Sequence, residues 1–413
     1  MATVPPSAVV PLEERPLEER FTLPDMTPVQ YREADSHDRI DVQLGAAAQK
    51  DSELAPLAAF VKTDVQSRIS LHGAVNADRA VSEHVWEFRA PGDAAVEISA
   101  FDAWAALYAF WVRRDHLERQ PVQLGASLAN RDHLYAFITQ TGLGFHAPDS
   151  KDTYEVLLDR SSFWQGAGAP RSRSWLQAHV PSVSDFGPLA STAFPHTISF
   201  TRSDDPPVLT THPLRPPKPA PGAVLYSRWV HSVKQHLTLT HIDANNPEHF
   251  EAYCRWQNSD RVNVGWREKG DEAHHRKYHA GRLADPHIMG FLVAWDGELA
   301  GYGEASFNKE DGMAAFAGGM GDYDQGTHLL IGESKFRGRH RFAAHMVSMK
   351  HFAFLREPRT QIVIGEPRVD LSIVPLLQAH LPQDRRKVLP LPHKDAVLFI
   401  LHRDRFFIDG IFF

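Results

Sequence analysis

The sequence predicts an α/β chain of the α+β kind in two domains, and three observations carry that prediction. Strand-like and helical segments alternate through both halves of the 413 residues, a length that suits two or three domains. The stretch DDPPVLTTHPLRPPKPAPG, residues 204–222, is crossed by prolines; it can continue neither a helix nor a central strand and reads as an extended linker. In the second half, DYDQGTHLLIGESKFRGRHRFAAHM (322–346) sets a strand, a basic glycine loop and a helix in succession.

Residues 1–40, rich in Pro and Glu and weakly periodic, are expected to form a flexible arm. An N-terminal α/β domain is expected over 41–203. Its clearest element is FDAWAALYAFWVRRDH (101–116), where Phe101, Trp104, Tyr108 and Trp111 recur at helical spacing, a pattern of core packing. The second domain, 223–413, opens with the strand-like VLYSRWV. PEHFEAYCRWQNS (247–259) reads as a helix, and HIMGFLVAWDGELAGYGEASFN (287–308) as two strands joined at Asp296-Gly297. THLLIGE (327–333) is a third strand, and HRFAAHMVSMKHFAFL (340–355) an amphipathic helix that Pro358 stops. TQIVIGEP (360–367) is a fourth strand, PLLQAHL (375–381) a short helix and KDAVLFILHRDRFF (394–407) the last strand.

Composition excludes several classes. With 43% hydrophobic and 23% charged residues the chain is globular. A net charge of −7, from 44 basic and 51 acidic residues, argues against a general nucleic-acid surface. No apolar run approaches the ~20 residues that span a bilayer, and MATVPPSAVVPLEERPLEER lacks the pattern of a secretory signal. A cytoplasmic protein without membrane or nucleic-acid partners is the expectation. The single cysteine, Cys254, excludes an intrachain disulfide framework and any cysteine-rich metal site. The 24 histidines are scattered without HExxH, and His274-His275 in a charged stretch read as solvated, so no metal is expected.

A strand, a basic glycine loop and a helix form a recipe for holding phosphate. Amides at a helix N-terminus point outward unpaired, and the macrodipole adds positive charge. Gly338 permits close backbone approach, while Arg337 and Arg339 offer charge-assisted hydrogen bonds. On the preceding strand, period two sets His328, Leu330 and Gly332 on one face; a hydrogen-bonded core histidine is the plain reading of His328 by itself.

This order of hairpin, strand, loop, helix, strand, helix and strand resembles the GNAT superfamily of acyl-CoA-dependent N-acyltransferases. GYGEASFNKED (301–311), DYDQGTHLLIGE (322–333), FRG (336–338), REPRT (356–360), GEPRVD (365–370) and HKDA (393–396) occur in order. Over roughly residues 236–408 they resemble the siderophore hydroxyornithine and hydroxylysine N-acyltransferases, most of all the fungal hydroxyornithine transacylases. The resemblance implies a C-terminal GNAT fold preceded by a degenerate GNAT-like domain without a complete active site, serving packing or self-association as a homo-oligomer. It implies acyl-CoA as cosubstrate, held along Leu330, Ile331, Phe336, Arg337, Gly338 and Arg339. The implied reaction acylates the side-chain hydroxylamine of N5-hydroxy-L-ornithine to a hydroxamate. An N6-hydroxylysine acyltransferase and a catalytically silent acyl-CoA-binding or partner-binding protein are the alternatives. His328 would be the general base, oriented by Asp370 or Glu366; Glu304 would hold the substrate's α-ammonium, with Trp266 and Tyr302 walling the channel. Leu371 and Phe307 depart from the family's frequent asparagine and tryptophan. Acetyl, anhydromevalonyl and methylglutaconyl donors all stay open, and the last would require a cation near the acyl terminus that the sequence does not place.

Overall fold

The computed structural model describes residues 15–70, 80–147, 150, 152–178, 196–200 and 209–408. The chain divides into two compact units, one ending at Trp175 and one running from Leu176 to Phe406. The first holds β1 (Glu18–Thr22), β2 (Pro28–Glu33), β3 (Arg39–Leu44), β4 (Ala55–Ser70), β5 (Ala80–Arg89), α1 (Ala100–Arg114), β6 (Arg119–Leu124), α2 (Arg131–Thr141), β7 (Gly144–His146), β8 (Glu155–Asp159) and the short α3 (Arg160–Trp164). Its eight-stranded sheet runs β1-β2-β3-β4-β5-β6-β8-β7, antiparallel throughout except for the parallel β5–β6 pair. α1 is buried from Ala103 to Arg114, and Trp104, Tyr108 and Trp111 form the core that their spacing predicts. The arm expected over 1–40 is corrected from Glu18 onward. β1 and β2 belong to the sheet and bury Phe21, Val29 and Tyr31; residues 1–14 lie outside the described residues.

The second unit contains β9 (His196–Phe200) and β10 (Leu209–Pro213), an antiparallel ribbon, so part of the expected linker is strand. Pro213 stands at the ribbon's end, where a missing N–H removes little pairing. There follow β11 (Val224–Val230), β12 (Gln235–His241), α4 (Pro247–Gln257), α5 (Asp260–Trp266), α6 (Glu272–Ala284), β13 (Ile288–Trp295), β14 (Glu298–Phe307), α7 (Gly312–Ala317), β15 (Gln325–Ile331), α8 (Arg339–Arg356), β16 (Ile362–Gly365), α9 (Ile373–His380), β17 (Asp384–Leu391), β18 (Lys394–His402) and α10 (Arg403–Ile408). The sheet order β11-β12-β13-β14-β15-β16-β18-β17 repeats that of the first unit, with one parallel pair, β15–β16, at the same place.

Local chemistry explains the hairpin that leads to the site. Asp296 (φ 47°) and Gly297 (φ 86°) both take left-handed backbone, the requirement of a two-residue turn that follows sheet twist. β15 pairs with β14 along its whole length but with β16 only at Gln325↔Val363 and Gly326↔Ile364. Beyond Gly326 the two parallel neighbours diverge and a wedge opens between them. Beneath it runs α8, buried from Ala344 to Leu355 around its whole circumference rather than along one stripe, as the amphipathic reading expects. Two of its buried histidines find partners: His351 meets the Tyr226 hydroxyl (2.8 Å), and His345 accepts from the Trp295 indole (3.2 Å).

Two further expectations change. The last strand ends at His402 and gives way to helix, and β17 and α6 arise where no element was expected. α6 buries His275 and His279 against Tyr253, at ring distances of 5.5 and 4.1 Å, so only His274 of the histidine pair faces solvent. Its charged sequence masks this because the buried positions are themselves histidines.

Candidate active site

His328 and Glu304 stand directly opposite each other on β15 and β14. Glu366, just past β16, meets His328 from the other arm of the wedge: Nε2 lies 2.9 Å from Glu366 Oε1. The other ring nitrogen, Nδ1, lies 3.9 Å from Glu304 Oε2. Sequence reasoning left Asp370 and Glu366 as rival partners, and the structure brings Glu366 to the ring. Asp370 is 63% exposed and accepts from Arg368 instead (3.2 Å). Lys394 fixes Glu366, donating from Nζ to its carbonyl at 2.8 Å and lying 3.5 Å from Oε1.

Glu304 is buried, and its Oε1 accepts from the Tyr278 hydroxyl (2.5 Å), the Tyr302 hydroxyl (2.9 Å) and Arg282 Nε (3.2 Å). With three donors on one oxygen, one of them a guanidinium, this carboxylate is a poor seat for a substrate ammonium. Its geometry serves His328. Tyr302 is fully buried behind Glu304 in a cluster with Tyr253, Trp256 and Leu330, so it supports the site rather than walling a channel. Trp266 does face the cavity, its ring centre 6.2 Å from that of His328.

Electrostatics revise the general-base expectation. The Glu366 charge, with Glu304 adding to it, outweighs burial and lifts His328 to about 10. Burial pushes Glu304 up, but His328 and Arg282 bring it down to about 2. Burial likewise opposes ionisation of Glu366, and His328 and Lys394 overcome it, again to about 2. At neutral pH the trio is therefore an imidazolium between two carboxylates. A group holding its proton cannot take one from substrate until it has given that proton away. The His328 side chain keeps 38% of its surface exposed, enough for a ligand in the cavity to reach it.

That cavity, of about 500 Å³, occupies the wedge and is lined by Trp266, Thr327, His328, Met346, Lys350, Glu366, Leu371 and Ile373 among others. Lys350 escaped sequence reasoning. It is buried on α8, and its Nζ bridges the two diverging strands, donating to Thr327 Oγ1 (2.9 Å) and the Ile364 carbonyl (2.9 Å). Burial lowers its pKa to about 7 although Glu366 opposes the shift. The available signal was its position four residues after Met346 on the helix face that the wedge rests upon. Of the two departures from the family pattern, Leu371 lines the cavity. Phe307 lies between the Arg215 and Arg356 guanidinium groups, at 4.5 and 4.7 Å.

At the other end of β15, Phe336 is buried while Arg337, Gly338 and Arg339 are exposed at the start of α8. Gly338 adopts φ 126°, a conformation that favours glycine, and no side chain caps the helix. Arg261, which donates to the Gly332 carbonyl (2.7 Å), adds a third cation; burial, then the nearby Arg337, lower its pKa. Leu330 points into the core and Ile331 is half-buried, so these two positions offer a ligand mainly their backbone. The matching place in the first unit differs: Ser99 caps α1 through Asp102 N (3.0 Å), and Asp102 puts negative charge in the first turn. That terminus is already satisfied and repels anions. Cys254 has its thiol pKa raised by burial, which removes it as a nucleophile.

Comparison with known proteins agrees with this geometry. Residues 245–374 match the acetyltransferase (GNAT) domain. The chain is 54% identical over 365 residues to acyltransferase fer5 of Mycosarcoma maydis, covering 88% of this chain and 82% of that protein. Acyltransferase ato1 of Omphalotus olearius is 54% identical over 392 residues, 95% of each chain. At 34% over 348 residues stands the N(5)-hydroxyornithine:cis-anhydromevalonyl coenzyme A-N(5)-transacylase SIDF of Beauveria bassiana, covering 78% of this chain and 74% of that one. With these identities spanning most of both partners, the chain belongs to the GNAT acyltransferases, as an acyl-CoA-dependent enzyme related to the fungal hydroxyornithine transacylases.

Proposed function

We propose that this enzyme transfers an acyl group from acyl-CoA to the side-chain hydroxylamine nitrogen of N5-hydroxy-L-ornithine, forming a hydroxamate for siderophore biosynthesis in the cytoplasm. The observation that carries the reading is the His328–Glu366 pair at the mouth of a wedge whose strand leads to an uncapped, arginine-flanked helix. CoA laid along β15 would set its pyrophosphate near Arg337, Gly338 and Arg339 and its thioester near His328. The hydroxylamine nitrogen, largely neutral near pH 7, attacks the thioester carbonyl, and the carbon–sulfur bond then breaks. His328 gives its proton to the departing thiolate and takes the one that the nitrogen sheds, so the pair ends as it began. Transfer is direct, because Cys254 is not activated.

Lys350 bears on the donor. A lysine bridging the wedge, brought to about 7 by burial, is the donor that an acyl group ending in a carboxylate or hydroxyl would meet. The acceptor is less constrained: N6-hydroxylysine differs by one methylene, worth only ~1–3 kcal/mol of discrimination. A silent binding protein would have no use for two buried carboxylates held ionised around a histidine. The experiment is free-thiol release by the purified chain with N5-hydroxyornithine, N6-hydroxylysine or ornithine, against donors ending in methyl, hydroxyl or carboxylate. Release that requires a hydroxylamine supports the proposal, and none with any pair points to the silent protein.

The loop gives a separate expectation. Arg337→Ala and Arg339→Ala should each raise KM for acyl-CoA about threefold to tenfold and leave kcat nearly unchanged, as exposed cations that bind but do not react. Steady-state kinetics at two salt concentrations would check it; a fall in kcat at constant KM would remove the loop from binding.

A further inference from the structure

Apart from the wedge, one cluster has a composition that the acyl transfer does not use. His212 at the end of β10, His287 just before β13 and Glu310 in the loop after β14 each offer one ligand atom, all within 4.8 Å of one another. Both histidines are buried and Glu310 nearly so. Hydrogen bonding suggests their tautomers. His212 Nδ1 lies 3.0 Å from Glu310 Oε1, and His287 Nδ1 lies 3.1 Å from Asp285 Oδ1. A proton on His287 Nδ1, donated to Asp285, leaves its Nε2 as a bare Lewis base, and His212 Nδ1 would share an ion with Glu310 Oε1 in place of the hydrogen bond between them. A histidine whose far nitrogen leans on a carboxylate is the common outer-shell arrangement of metal ligands.

We infer that His212, His287 and Glu310 form a structural site for a divalent transition-metal ion, zinc being the cation that two imidazoles and one carboxylate suit best. The ion would join parts of the chain 98 residues apart, pinning β10 to the end of the β13–β14 hairpin. Arg215 Nη1 engages Glu310 Oε2 at 2.9 Å and so leaves Oε1 for the ion. Glu310 and Asp285 would offset its charge, and a water would complete four ligands. No metal is legible in the sequence because His212, His287 and Glu310 lie on three separate segments with no recognisable spacing.

The test uses the full chain, free of any affinity tag, exposed to Zn²⁺ and then passed through metal-free gel filtration. The expected result is about one zinc per chain by plasma emission, with His212→Asn and Glu310→Gln each retaining less than a fifth of it. Substitution by Co²⁺ should give the intense visible bands of a tetrahedral site in wild type alone. Independently of any variant's folding, a chelator should lower the wild-type Tm by at least about 4 °C and Zn²⁺ should restore it. Zinc retention no greater than in the variants, or a Tm that neither chelator nor Zn²⁺ moves, overturns the inference.

Discussion

His328→Ala is expected to lower kcat/KM by ~10²-fold, the lower part of the range for a positioned proton-transfer group, because a hydroxylamine nitrogen attacks without prior deprotonation. The fall should lie in kcat, since the wedge and the arginine loop, where CoA would bind on the proposed reading, are untouched. The pH profile separates two roles. His328 is lifted to about 10 by Glu366 and Glu304, above its ordinary value of about 6.5. If the imidazolium is the working form, activity persists through neutral pH and declines only as pH rises through the folded pKa. A resting free base would instead give a rate rising through about 6.5. Stability follows the same sign: the ion pairs of His328 contribute fully below its unfolded pKa and are lost as pH climbs towards 10. Rates of wild type and variant from pH 6 to pH 10, with folding checked by near-UV circular dichroism, decide the matter; a variant within a factor of two of wild type sinks the proton-transfer role.

Arg282→Ala should cost roughly 2–3 kcal/mol of stability, less than the ~3–5 for breaking a wholly enclosed ion pair because Arg282 is 30% exposed. Removing the guanidinium leaves Glu304 buried and ionised with Tyr278, Tyr302 and His328 as its remaining supports. Glu304 is held at about 2 in the folded chain, so its stabilisation exists above its unfolded pKa of about 4.3 and is lost as pH falls towards 2. The deficit of the variant should therefore be largest at neutral pH and shrink on acidification. Urea unfolding at pH 7 and pH 3 measures it. An equal deficit at both would mean that Arg282 acts through packing over Tyr278, on whose ring it lies at 4.5 Å.

Several features of this protein were determined by short-range chemistry and are legible in the chain. Left-handed backbone at Asp296-Gly297 and the positive φ of Gly338 are local properties. From them follow the hairpin and the basic loop before a helix. Tertiary structure decided the rest, because it depends on register and on burial, which join residues distant in sequence. Asp370 and Glu366 are four residues apart and chemically alike, yet only the divergence of β15 from β16 brings Glu366 to 2.9 Å of His328. His275 reads as solvated until neighbouring elements cover it, and nothing in the sequence marks Lys350 as buried. The proton on His328 is the clearest case: an imidazole alone titrates near 6.5, and two carboxylates that flank it from either side hold it charged to about 10. Coulombic attraction across a few ångströms of low-dielectric interior is a property of the assembled wedge, and no order of residues along the chain contains it.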